Sequence, residues 1–146
     1  MKIHLTTATV LSFLLGPSSF SETKKESGEN MAYIYIIKCS NESLYTGIAK
    51  DIKARMKQHV KGTAAKYTRS KKIKELCALW SCENYSDAGK LEYAIKQLTR
   101  AQKQELISGG EFPNKISEKL DTSLYCREEV FDITDIADDC EKEKAD

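Results

Sequence analysis

The run Tyr33–Lys38 (YIYIIK) constrains this chain more than any other stretch. Its β-branched and aromatic residues continue without a polar break as far as Lys38, the mark of a strand buried on both faces. Such a strand needs partners. Asn41-Glu42-Ser43 supplies turn-forming residues, and Leu44–Ile48 reads as the returning strand of a hairpin. Asp51 is placed to cap a helix over about Ile52–Val60, ended by Gly62. Its stripe of Ile52, Met56 and Val60 recurs every four residues and should face the sheet. Glu75–Cys82 predicts a third strand. Ser86 is a candidate cap for a helix over Asp87–Leu98, with Leu91, Ala94, Ile95 and Leu98 on its core side. Thr99 and Gln102 form a capping box that opens a short helix to Ile107. Gly109, Gly110 and Pro113 then break the chain, a further strand is expected over Glu128–Ile133, and Asp138–Asp146 reads as a disordered tail. The expected fold is a small α/β (α+β) domain, a three-stranded antiparallel sheet flanked by helices in the order β-β-α-β-α-α.

Charge divides the chain. The formal net charge of +1 hides a balanced segment to residue 32, a segment over residues 33–108 with 15 Lys and Arg against 7 acids, and a segment over residues 109–146 with 5 against 12. A basic domain suggests a polyanionic partner, and the acidic segment a contact with another protein or a fold-back onto the basic face. Residues 1–30 resemble a secretory signal, with Lys2, an apolar stretch over Ala8–Leu15 and then Gly16-Pro17, yet lack a small-residue cleavage pattern. The apolar stretch is too short to span a bilayer. The expectation is an extension ahead of a domain over residues 31–108, with Met31 as an alternative start, Ser21–Asn30 disordered, and the acidic segment at 109–146. Cys39, Cys77, Cys82, Cys126 and Cys140 are odd in number and lack zinc-site spacing, which reads as reduced thiols in a cytoplasmic protein.

Several residues carry candidate chemistry. Tyr35 and Tyr45 lie ten residues apart through one hairpin, so both hydroxyls can converge on one water or phosphate. Arg55 and His59, at i and i+4 beside the apolar stripe, share a face at the edge of the core. Glu92 adjoins Leu91 on the core side of its helix, where a carboxylate is costly unless paired or bound to metal. Lys96, four residues on, is its alternative partner. Lys66, Tyr67, Arg69, Lys71 and Lys72 set basic residues around one aromatic, a composition suited to phosphate contact with base stacking.

The order "YIY", nine residues, "YTG", an Arg eight residues beyond that Gly, then a Glu on the last long helix resembles the GIY-YIG nuclease superfamily over about Met31–Ser108. The closest likeness is to small stand-alone bacterial proteins of that family, in "AKYTRSKK" and "AIKQLTRAQKQELI". The resemblance implies a metal-dependent endonuclease acting on DNA. A domain this small leaves little surface for reading sequence, so single-stranded or branched DNA is the expected substrate. The shortness of the apolar run predicts no membrane partner. The resemblance also implies one of Tyr35 and Tyr45 orienting or deprotonating the water and Arg55 stabilising the phosphorane-like charge. His59 is then a phosphate contact or proton carrier, Glu92 the ligand of Mg²⁺ or Mn²⁺, and Gly47 a point of close backbone approach. Tyr33 and Thr46 depart from the motif letters. Ile48 stands where many family nucleases carry Lys, and Gln104 where others carry Asn. A nucleic-acid-binding module of weak catalytic power is the alternative these departures leave open, and an interaction protein using its acidic segment is another.

Overall fold

Apolar side chains on both faces of the first strand decide the architecture, because each face needs its own cover. The computed structural model describes residues 30–145; the expectations for the extension before them lie outside the described residues. Strand β1 (Ala32–Cys39) runs antiparallel to β2 (Leu44–Ala49) on one side and β3 (Ile73–Cys82) on the other, and β4 (Cys126–Glu128) adds to β3. The sheet therefore has four strands, ordered β2-β1-β3-β4, where three were expected. The hairpin turn is local chemistry: Asn41 Oδ1 accepts from Ser43 N and Oγ, and Glu42 takes a left-handed φ of 64°.

Helix α1 (Ile52–Lys61) follows β2. Asp51 Oδ1 accepts from Ala54 N at 3.0 Å, and Gly62 closes the helix at φ 75°. A short helix α2 (Lys66–Arg69) interrupts the expected basic loop, and β3 begins at Ile73 rather than Glu75. Helix α3 spans Tyr85–Lys96, two residues earlier than expected at its start. Asn84, not Ser86, is its cap: Asn84 Oδ1 accepts from Asp87 N at 2.8 Å while its Nδ2 donates to Asp87 Oδ2 at 2.7 Å. Helix α4 (Arg100–Ile107) opens on the capping box of Thr99 and Gln102, and α5 (Asn114–Ser117) follows Pro113.

The C-terminal segment differs most from expectation. The strand there is only Cys126–Glu128, and α6 (Ile133–Ala145) starts at the end of the expected strand and continues into the stretch from Asp138 that was expected to be disordered. Asp132 opens it by accepting from Thr134 N and Oγ1, and Ile133 and Ile136 are buried. Arg127 fastens β4 in place. Its guanidinium lies 4.7 Å from the Trp80 ring and donates to the carbonyls of Leu106 and Ile107, which end α4.

Two cores result. On one face of the sheet Ile34, Ile36, Ala78 and Trp80 pack with Ala88, Leu91 and Ile95 of α3 and with Leu106 and Ile116. On the other, Tyr35, Ile37, Leu76 and Leu79 pack with Met56 of α1 and with Ile133 and Ile136 of α6. The acidic segment is thus part of the domain.

Candidate active site

Tyr35 is on the central strand and points its side chain to the α1 face, directly opposite Gly47 in the β1–β2 register. Gly47 has no side chain, and the phenol uses that space: a Cβ at Gly47 would fall 2.6 Å from Tyr35 Cζ. The close approach expected at Gly47 is made here by the Tyr35 ring. Two residues away on β2, Tyr45 lies on the same face, its ring centroid 6.4 Å from that of Tyr35.

Helix α1 presents Arg55 and His59 to these phenols from successive turns. Arg55 Nε donates to Tyr35 Oη at 3.3 Å, and Tyr35 Oη lies 2.8 Å from His59 Nε2. The hydroxyl oxygen accepts from Arg55, and its contact with His59 runs from the phenol to a bare Nε2 or from Nε2–H to the phenol according to the histidine tautomer. The His59 ring stands edge-on to both tyrosines, with centroids 5.5 and 5.6 Å away.

Burial sets the protonation states. Tyr35 is fully buried, and that burial pushes its pKa up to about 12 against the opposing pull of Arg55. His59 is 2% exposed; burial, aided by the Arg55 charge, pushes its pKa down to about 4. At neutral pH the pair is a neutral phenol hydrogen-bonded to a neutral imidazole. Accepting its hydrogen bond, Tyr35 raises the guanidinium of Arg55 further. The two phenols differ in access, since Tyr45 is only half-buried.

Glu92 lies on α3, the helix that covers the Ile34/Ile36 face of the sheet. It sits close enough for its charge to raise the Tyr35 pKa, and its side chain is 20% exposed. Lys96 Nζ lies 2.8 Å from its Oε1, so the i, i+4 pairing is formed. No group of three or more His, Cys, Asp or Glu side chains suited to a metal occurs among the described residues. A single carboxylate with one oxygen outside the ion pair fits Mg²⁺ or Mn²⁺, which complete their shells with water and phosphate oxygens, and does not fit Zn²⁺.

The basic segment is placed between α1 and β3. Lys66 and Arg69 lie on α2, and Lys72 lines a cleft with Val60, Ile73 and Ile133, its carbonyl accepting from Ser40 N at 2.7 Å. Two contributors escaped the sequence reading. Gln58 Oε1 accepts from Arg55 Nη1 at 3.1 Å and helps fix the guanidinium; its i+3 spacing from Arg55 was the available signal. Tyr85, the first residue of α3, lines a cleft together with Arg55.

The pattern of the GIY-YIG catalytic domain matches residues 31–105. The chain belongs to the GIY-YIG family. Its match ends within α4, so β4 and α6 lie beyond it. Among relatives, a UPF0213 protein of Halalkalibacterium halodurans is 39% identical over 93 residues, 62% of this chain and 97% of the relative. One from Clostridium perfringens is 44% identical over 89 residues, 61% and 96% of the two chains. One from Staphylococcus aureus is 47% identical over 75 residues, 51% and 92%. The solution NMR structure of a UPF0213 protein from Bacillus halodurans is 36% identical and covers 62% of this chain and 96% of its own, with a TM-score of 0.37. GIY-YIG membership supports a nuclease-like domain that meets nucleic acid. No helix among the described residues is long and apolar enough to cross a membrane.

Proposed function

We propose that this GIY-YIG domain hydrolyses phosphodiester bonds in DNA, single-stranded or branched by preference, with a divalent cation held by Glu92. The observation that carries this reading is the chain of contacts from Arg55 through Tyr35 to His59 at the edge of the sheet. Buried and locked between two partners, Tyr35 is a positioning residue. Its hydroxyl orients the guanidinium, and the hydrogen bond to His59 Nε2 holds the phenol in place. Arg55 has its Nε and Nη1 engaged, leaving Nη2 directed to a phosphate oxygen, where preorganised charge lowers the barrier. Tyr45, the accessible phenol, holds the attacking water. When bound, the cation would supply charge neutralisation at the phosphate and a more acidic water. Lys66, Tyr67, Arg69, Lys71 and Lys72 extend the contact along the strand. Cys39, Cys77, Cys82 and Cys126 are free thiols, which supports a reduced, cytoplasmic setting.

A second reading, a binding module of weak catalytic power, is favoured by the Lys96 ion pair on Glu92 and by the apolar Ile48 beside Gly47. Cleavage of labelled single-stranded and branched DNA with Mg²⁺ or EDTA, beside Glu92→Ala, separates the two. Metal-dependent cutting that the variant loses while it still binds is the expected result. Binding without cutting by both proteins establishes the second reading instead, and neither binding nor cutting removes both.

A further inference from the structure

Beside Arg55 the end of β2, the start of α1 and the start of α3 enclose an open cleft of about 330 Å³. Lys50, Ala54, Arg55, Gln58 and Tyr85 line it. A volume of this size holds one small ligand. Its walls are a flat aromatic, two cations and an amide. Tyr85 is 48% exposed although it is a large ring, and Lys50 places its ammonium 5.9 Å from the ring centroid. The ammonium has no carboxylate partner among the described residues. Asp51 also lines the cleft, but its Oδ1 is committed to capping α1 at Ala54 N.

From this we infer a subsite for one nucleotide next to the scissile phosphate, its base stacked on Tyr85 and its phosphate shared by Lys50 and Arg55. The inference rests on the nuclease reading and adds to it where the neighbouring nucleotide sits. An aromatic face accepts any base, while the two cations recognise the backbone, so the subsite favours single-stranded over paired nucleic acid without reading sequence. The surface beyond Tyr85 is open in the same direction. Gly89 lies one turn further along α3 and one turn before Glu92, and a Cβ there would meet nothing within 4 Å. The open space over Gly89 leaves room for a sugar-phosphate backbone to pass between the stacked base and Glu92.

The test is fluorescence anisotropy of the full chain with a short fluorescein-labelled oligothymidylate in EDTA, so that binding is read without cleavage. Tyr85→Ala is expected to weaken binding about 5- to 100-fold, the usual range for losing one base stack, and Tyr85→Phe to restore it. Lys50→Ala should lower the slope of log affinity against log salt by about 0.7. With the wild-type chain, moving a single abasic nucleotide along the oligonucleotide should reveal one position that costs most, and Tyr85→Ala should erase that preference. Wild-type binding with an even abasic scan overturns the subsite and leaves the nuclease reading standing. Equal affinity of Tyr85→Ala and wild type does the same. Absence of wild-type binding overturns the subsite, and together with absence of cutting in Mg²⁺ it removes the nuclease reading as well.

Discussion

Acid should destabilise this domain partly through one buried histidine. His59 is 2% exposed and is hydrogen-bonded through Nε2 to the Tyr35 hydroxyl, and its pKa falls from 6.5 to about 4 because of burial first and the Arg55 charge second. The folded chain therefore refuses a proton that the unfolded chain accepts near pH 6.5. Above that value neither state is charged at this site and the full stability is present. As pH falls towards 4 the unfolded state gains the proton first, so stability is lost across that window and the loss is complete below it. The gap between the two values corresponds to about 3 kcal/mol, of which about 2 kcal/mol should disappear between pH 7 and pH 4.5. Urea unfolding across that range, for wild type and His59→Gln, isolates the effect, since the carboxylates are common to both. The wild-type curve should fall more steeply, the two separating by about 2 kcal/mol at pH 4.5 relative to their difference at pH 7. Parallel curves would refute the reasoning and mean that His59 is protonated or solvated in the folded protein.

Two other perturbations test the packing that holds the site. Gly47→Ala puts a methyl group against the Tyr35 phenol and should cost about 1–3 kcal/mol in chemical denaturation, where alanine in an ordinary strand would be mildly favourable. A neutral or stabilising result would show that Tyr35 does not lie over β2. Ile136→Ala should lower stability by about 2–3 kcal/mol if α6 is packed into the second core, and by almost nothing if the acidic segment is a loose tail.

Local chemistry was legible and tertiary competition was not. The hairpin, the Asp51 cap and the Thr99–Gln102 capping box each depend on residues within a few positions, and each formed where expected. Arg55 and His59 were legible as a pair because helical spacing alone puts them on one face. The hydrogen bonds they both make to Tyr35 were not, since these depend on β1 being the strand directly opposite Gly47, with α1 packed above it. Asn84 outcompeted Ser86 as a cap because Asp87 returns its contact, a reciprocity that a list of cap-forming residues does not rank. The final helix was hidden by its own acids. Ile133, Ile136 and Ala137 repeat at helical spacing behind Asp132, but the surrounding carboxylates make the segment look like a solvated tail.

That helix changes what the charge split means. Residues 33–108 and 109–146 carry opposite charges in sequence, yet they are not separate bodies: α6 lies against α1 through Ile133 and Ile136. Asp132, Asp135 and Asp139 line a cleft together with Lys53 and Lys57 of α1. Opposite charges therefore meet locally on the side of α1 turned towards α6, while Arg55 and Lys50 line the cleft at its other side. Removing residues 109–146 would strip apolar cover from Tyr35 and Met56, so a change in DNA affinity after such a truncation would report unfolding as readily as lost repulsion. Neutralising the three aspartates to asparagine keeps the apolar contacts and changes charge alone. It is the substitution that separates the electrostatic role of this segment from its place in the core.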